Sequence, residues 1–309
     1  MHRLATRLIA VLVCLGAAGS SVHAQSAQPS LADLATRRAE RPSKHLIWKV
    51  SRQGETIAYL VGSIHVLTRA SYPLPPPFGT AYAETRVLVE EVDLAETADP
   101  AMAAAVAAKA LLQDGQTLKS LLDPVLYSRV SDKATAAGLP MMLLDRMKPW
   151  LVAVTLMLPE LQAAGFDPAQ GLDRHFYERA KADGRPVRGL ETAAFQIDRM
   201  NGLSMSAQVQ MLAAYLDDVE VQVKSVRELV AGWRSGDVPA LEKLLLTELQ
   251  QSTEVYQRLL VDRNQAWAPR IAECQASAPC LVVVGGAHLL GPDSVIALLA
   301  KTGLTVEQQ

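Results

Sequence analysis

The sequence lacks several features that would have named a function outright. No His-Glu-x-x-His occurs anywhere in the 309 residues, so two histidines and a base on one helix, as in zincins, are excluded. There is no Lys/Arg-rich run, and with it goes the electrostatic footprint of a nucleic-acid binder. Past the first two dozen residues no segment has the roughly 20 apolar residues that cross a bilayer. Ala98 to Leu112 comes nearest, but it is alanine-rich, carries Asp99 and Lys109, and reads as a helix. Cysteine is scarce, at three residues, and the four tryptophans, Trp48, Trp150, Trp233 and Trp267, show no stacking pattern and read as packing residues.

What is present starts with a leader. Arg3 and Arg7 precede the apolar run Leu8 to Leu15, and small residues follow to Val22-His23-Ala24. That order is a secretory signal peptide over residues 1–24, with mature protein from Gln25 to 309, periplasmic or secreted, and no membrane span after cleavage. Cys14 lies inside the apolar run, so it does not read as a lipoprotein site. Without Arg3 and Arg7 the mature chain has 28 basic residues against 32 acidic ones, a net charge of −4. Its two cysteines, Cys274 and Cys280, bracket a short loop, and an isolated pair in an oxidising compartment predicts a disulfide.

The spacing of apolar residues then sets the fold class. Leu46 to Ser51 and Ile57 to Leu67 read as a hairpin across Arg52-Gln53-Gly54-Glu55, and Arg86 to Val92 as a buried strand. Leu139 to Leu144, Val187 to Leu190 and Leu281 to Val284 read as further strands. The prolines at 73, 75, 76 and 77 argue against regular structure there. Asp123-Pro124 signals a helix start, and helical patterns fill roughly 95–180 and 200–270. Strands alternating with helices at both ends predict an α/β fold, a mostly parallel sheet with a large helical insertion or cap.

Two strands end in the same way. His65 closes Gly62-Ser63-Ile64-His65 and His288 closes Gly285-Gly286-Ala287-His288, each directly after a buried run. Ligands of open α/β sheets bind beyond the carboxyl ends of strands, where an imidazole can serve a metal or a proton. Carboxylates take comparable places, with Glu90, Glu91 and Asp93 after Val87 to Val89, and Glu191 after Val187 to Leu190. For Glu90 and Asp93 a solvated loop or helix cap is the expected role, and Glu191 is open between capping the next helix and the site. Two histidines and two glutamates at four strand ends read as a metal site or an acid–base cluster. Arg263 reads as a surface salt-bridging residue of an amphipathic helix, and Asp173 as an acidic residue favouring a helix N-terminus.

Taken in order, these landmarks resemble the TraB/GumN family, which includes the Tiki proteases. They are Gly62-Ser63-Ile64-His65, Tyr72-Pro73-Leu74-Pro75, Glu91-Val92-Asp93, Lys148-Pro149-Trp150, Gly171-Leu172-Asp173, Gly189-Leu190-Glu191-Thr192, Asp262-Arg263-Asn264 and Gly285-Gly286-Ala287-His288. The resemblance implies a hydrolase dependent on a divalent metal (manganese, cobalt or zinc), with a peptide or protein substrate. It implies His65, His288 and Glu91 as metal ligands, and Glu91, Glu191 and Arg263 as catalytic residues. The alternative from a different class is a non-catalytic periplasmic binding or accessory protein in envelope or polysaccharide assembly.

Overall fold

The computed structural model describes residues 44–216 and 219–309, so the leader lies outside the described residues. Strands β1 (Ile47–Arg52) and β2 (Glu55–Ser63) form the expected antiparallel hairpin. Gln53 and Gly54 both take positive φ, 51° and 87°, as the tight two-residue turn requires. The apolar run after Ser63 does not continue the strand. There the chain leaves the sheet in a bend that places His65, while Val66 and Leu67 stay buried in the core.

Strands β3 (Val87–Glu90), β4 (Val187–Gly189), β5 (Cys280–Gly285) and β6 (Thr305–Gln308) complete a six-stranded mixed sheet of order β4-β3-β5-β2-β1-β6. The three pairings β4-β3, β3-β5 and β5-β2 are parallel, and the hairpin and β6 add two antiparallel ones. All six residues of β5 are buried, which is why it reads as an unbroken apolar run rather than an alternating one. The fold is α/β, and its parallel part holds the strands that matter for the site. Ser63 lies opposite Gly285, and Glu90 opposite Val283 and Gly189, so β2, β3, β4 and β5 all end at one edge of the sheet.

Two local expectations fail for clear physical reasons. Pro76 and Pro77 do not break regular structure; they open helix Pro76–Glu84, because a proline ring is tolerated in the first turn, where its missing N–H costs nothing. Leu139 to Leu144 is not a strand but a single helical turn, Met141–Leu144, that buries Leu144 and leaves Met142 and Leu143 exposed.

Helices occupy most of 94–182 and 193–272. Lys148 Nζ and Trp150 Nε1 both donate to Asn201 Oδ1, each at 3.1 Å, so the Lys-Pro-Trp landmark ties two helices together. Cys274 and Cys280 form a disulfide, with Cα atoms 6.0 Å apart. It joins the end of helix Asp262–Ala272 to the first residue of β5. Among the described residues no helix is long and apolar enough to cross a membrane.

Candidate active site

Each strand end delivers one side chain. His65 follows β2 by two residues, Glu91 follows β3 directly, and Glu191 follows β4 by two. Gly285 ends β5 and passes into the 3-10 turn Gly286–Leu289, which carries His288. A fifth group comes from a helix. The π-helical turn Gln257–Val261 runs into Asp262–Ala272 and points Arg263, Asn264 and Trp267 at the same edge. π-turns inside helices are frequent at functional sites.

Arg263 is the centre of the cluster, and it is buried, not a surface residue. Its Nη2 donates to Glu91 Oε2 and Glu191 Oε1, both at 2.6 Å, and Nε donates to Glu191 at 3.0 and 3.2 Å. Its Nη1 reaches His288 Nε2 at 3.1 Å. Glu191 also accepts from Trp267 Nε1 at 3.1 Å, so it stands behind the guanidinium. The helix cap open to Glu191 from the sequence is taken by Thr192, whose hydroxyl accepts from the Phe195 amide. Glu91 accepts from the Gly285 amide at 2.7 Å and from Gln196 Nε2 at 3.1 Å.

The two imidazoles are held in register. Asn264 Nδ2 donates to the Asp293 carbonyl at 2.8 Å, which fixes its Oδ1 as an acceptor, 2.6 Å from His288 Nδ1. His288 therefore carries its proton on Nδ1 and presents a lone pair on Nε2. His65 Nδ1 lies 3.2 Å from Asp173 Oδ1, which also accepts from the Ser63 hydroxyl at 3.1 Å. That arrangement turns Nε2 of His65 inward. The Nε2 atoms of His65 and His288 are each 3.9 Å from Glu91 Oε1. Such partners behind a ligating imidazole set its tautomer and raise its basicity.

Charge states follow from burial and neighbours. Burial alone would push Glu91 up, but Arg263, His288, His65 and the Gly285 amide outweigh it and bring its pKa to about 2. Burial, then the adjacent Arg263, lowers His288 to about 3. Glu91 is thus ionised and His288 neutral at any physiological pH. Glu191 is raised, because burial outweighs Arg263, which it shares with Glu91.

Glu90 departs from its expected loop role. It is 2% exposed, neither carboxyl oxygen has a hydrogen-bond partner, and burial followed by the charges of Asp173 and Asp93 pushes its pKa well above the carboxylate range. Asp93 does act as a cap, accepting from the Ala95 amide at 2.9 Å. Replacing a buried unpartnered polar group by an apolar one of similar shape removes a penalty of about 1–3 kcal/mol. Glu90→Met should therefore raise the melting midpoint by a few degrees in calorimetry, whereas a drop of several degrees would mean that Glu90 has partners that hold the fold.

Sequence reading missed Asp173, Asn264, Gln196 and Trp267 as members of this site. The Trp267 ring lies 4.4 Å from that of His288, besides its bond to Glu191, so it does more than fill space. Gly171 could have pointed to Asp173, because a side chain there would come within 2.5 Å of the His65 carbonyl oxygen. The strand-loop and the helix start are thus in backbone contact. Among the described residues no group of three His, Cys, Asp or Glu side chains already stands at metal-holding spacing.

Fold and site together define an α/β protein with a buried His–Glu–Arg centre at the carboxyl edge of its parallel strands. The chain belongs to the TraB/PrgY/gumN family, whose sequence model matches residues 46–308. It is similar to the uncharacterized protein YbaP of Shigella flexneri and of Escherichia coli K12, 23% identical in each case over 262 residues, 82% of this chain and 93% of the relative. It is also similar to metalloprotease TIKI1 of Danio rerio, 26% identical over 318 aligned positions, 84% of this chain and 62% of that longer protein. No solved structure matches.

Proposed function

We propose that this chain is an exported, metal-dependent hydrolase of peptides, with His65, His288 and Glu91 as the metal ligands. The observation that carries this reading is the convergence of two imidazole Nε2 atoms on one ionised carboxylate oxygen at the ends of β2, β3 and β5. The similarity to a protein named a metalloprotease supports it.

The residues fit a divalent ion in the chemistry of their donors, two imidazoles and a carboxylate. A Cβ built on Gly285 would stand 3.1 Å from Glu91 Oε1 and 3.4 Å from His65 Nε2, so glycine keeps open the space between the donors. The separations of 3.9 Å exceed by about half an ångström the roughly 3.3 Å edge of a tetrahedron with bonds near 2.0 Å. Binding thus needs a small contraction and the withdrawal of Arg263 Nη1 from the lone pair of His288. Imidazole suits zinc, cobalt or manganese, and the carboxylate shifts the preference towards manganese. When bound, such an ion polarises a scissile carbonyl and lowers the pKa of a water.

The chain supplies the rest. Arg263, held by Glu191 and lying over the Trp267 ring, is a fixed cation in a dry site, suited to stabilising negative charge that develops on the substrate. Asn264 and Asp173 hold the imidazole rings. Glu91 stays ionised, as a metal ligand must, while Glu191 acts through Arg263 as a positioning residue. Burial of His65, His288, Glu91, Glu191 and Arg263 keeps bulk water away from the centre. Digestion of a peptide library should show cleavage that a chelator abolishes and added Mn2+, Co2+ or Zn2+ restores. No cleavage under any metal would favour an accessory role in envelope assembly.

Export is part of the same reading, supported by the order of charged, apolar and small residues in 1–24. N-terminal sequencing of the protein from the periplasmic fraction should begin at or near Gln25; a start at Met1 would remove that claim.

A further inference from the structure

A small cavity adjoins the site, and Arg263 is not among the residues that line it. His65 and Glu91 form the wall shared with the site, and the cavity has room for a group about the size of one water molecule. Its remaining polar lining is Glu90, Asp173 and Gln196, and its apolar lining is Val92, Leu94 and Val283. No lysine or arginine is among the described residues that line it. Glu90 carries the argument, because it is buried and both its oxygens lack a donor.

We propose that this cavity is a subsite for a primary ammonium group of the substrate. The inference rests on the hydrolase reading, and it names the substrate feature that reading leaves open. An ammonium head is close to water in size and brings three N–H donors, which would give the oxygens of Glu90 the partners they lack. The carboxyl of Asp173 adds attraction for a cation, and Val92, Leu94 and Val283 suit the carbon stem behind the head. Glu90 also makes sense on this view in energetic terms. An unpartnered buried carboxyl weakens a fold, and residues that do so are drawn disproportionately from binding and catalytic sites. The ammonium group has two possible sources, the α-amine of a peptide N-terminus and a lysine side chain.

Calorimetric titration of the mature chain distinguishes them. Glycinamide probes the α-amine, N-acetyl-lysine amide the side-chain amine, and N-acetylglycinamide is the uncharged control. At least one amine should bind the wild type, the control should not, and Glu90→Gln should weaken that binding roughly tenfold or more, the loss expected for one charge-assisted hydrogen bond. Glu90→Met serves as a second variant and should behave alike. The proposal is overturned if neither amine binds, or if both variants bind as well as the wild type. A parallel digest compares peptides with free and acetylated amines. Amine binding that depends on Glu90 without cleavage of any peptide would keep the subsite and sink the hydrolase reading. Cleavage indifferent to both acetylation and Glu90→Gln would do the reverse.

Discussion

Arg263→Met should lower the melting midpoint by roughly 10 °C or more. The guanidinium is the common counter-charge of two buried carboxylates, Glu91 and Glu191, at 2.6 Å from each. Deleting one partner of a buried ion pair leaves an uncompensated charge and costs about 3–5 kcal/mol, because solvation lost on burial is no longer offset. For a domain of this size each kcal/mol moves the midpoint by roughly 2–4 °C. Arg263→Lys should recover only part of the loss, since one ammonium cannot reproduce the fork that grips both oxygens of Glu191. Adding Glu91→Gln and Glu191→Gln to Arg263→Met should restore much of the stability by removing the stranded charges. Thermal melts of the four proteins settle the matter, and a midpoint for Arg263→Met within a degree or two of wild type would show that the triad is not what holds this corner.

The second large effect concerns activity. His65→Ala and His288→Ala should each lower metal affinity at least 10–100-fold and reduce hydrolysis to background, while the chain stays folded. Each removes an imidazole whose far nitrogen is held by a partner, Asp173 or Asn264. Removing such support alone costs 10–100-fold in characterised metal sites, so Asn264→Ala should fall between wild type and His288→Ala. Metal content after dialysis, initial rates and melting midpoints separate the cases. A structural histidine would lower the midpoint and leave the metal content of the folded fraction alone. Wild-type metal content in both histidine variants would reject the ligand assignment.

How far these residues were legible depended on the kind of signal each left. β5 was visible because a strand buried on both faces is an unbroken apolar run, and the glycine and histidine after it mark a chain leaving the sheet. β6 was not, since Thr305–Gln308 is a polar edge strand whose residues alternate between exposed and partly buried. Glu91 and Glu191 were found by their places after apolar strands, yet the same logic did not separate Glu90 from solvent. The difference is that Glu90 is still part of β3, paired opposite Val283 and Gly189, whereas Glu91 follows the strand. Arg263 misled for another reason, since charge in an amphipathic helix usually marks the wet face. The pattern was nevertheless present: Leu260, Arg263, Asn264, Trp267 and Ile271 recur at helical spacing and are all buried. Asp173 was legible only as the acidic residue of a helix start and Gln196 left no trace, because they meet His65 and Glu91 through folding that joins positions more than 100 apart.

The central claim is that His65, His288 and Glu91 form one metal centre. Crystals of the mature chain soaked in Mn2+ and measured at the manganese absorption edge test it most directly. The account predicts a single strong anomalous peak per chain, in contact with Nε2 of both histidines and a carboxylate oxygen of Glu91, with Arg263 Nη1 withdrawn from His288. A soaked crystal with no peak at the carboxyl ends of β2, β3 and β5, or with its peak on other residues, would contradict it.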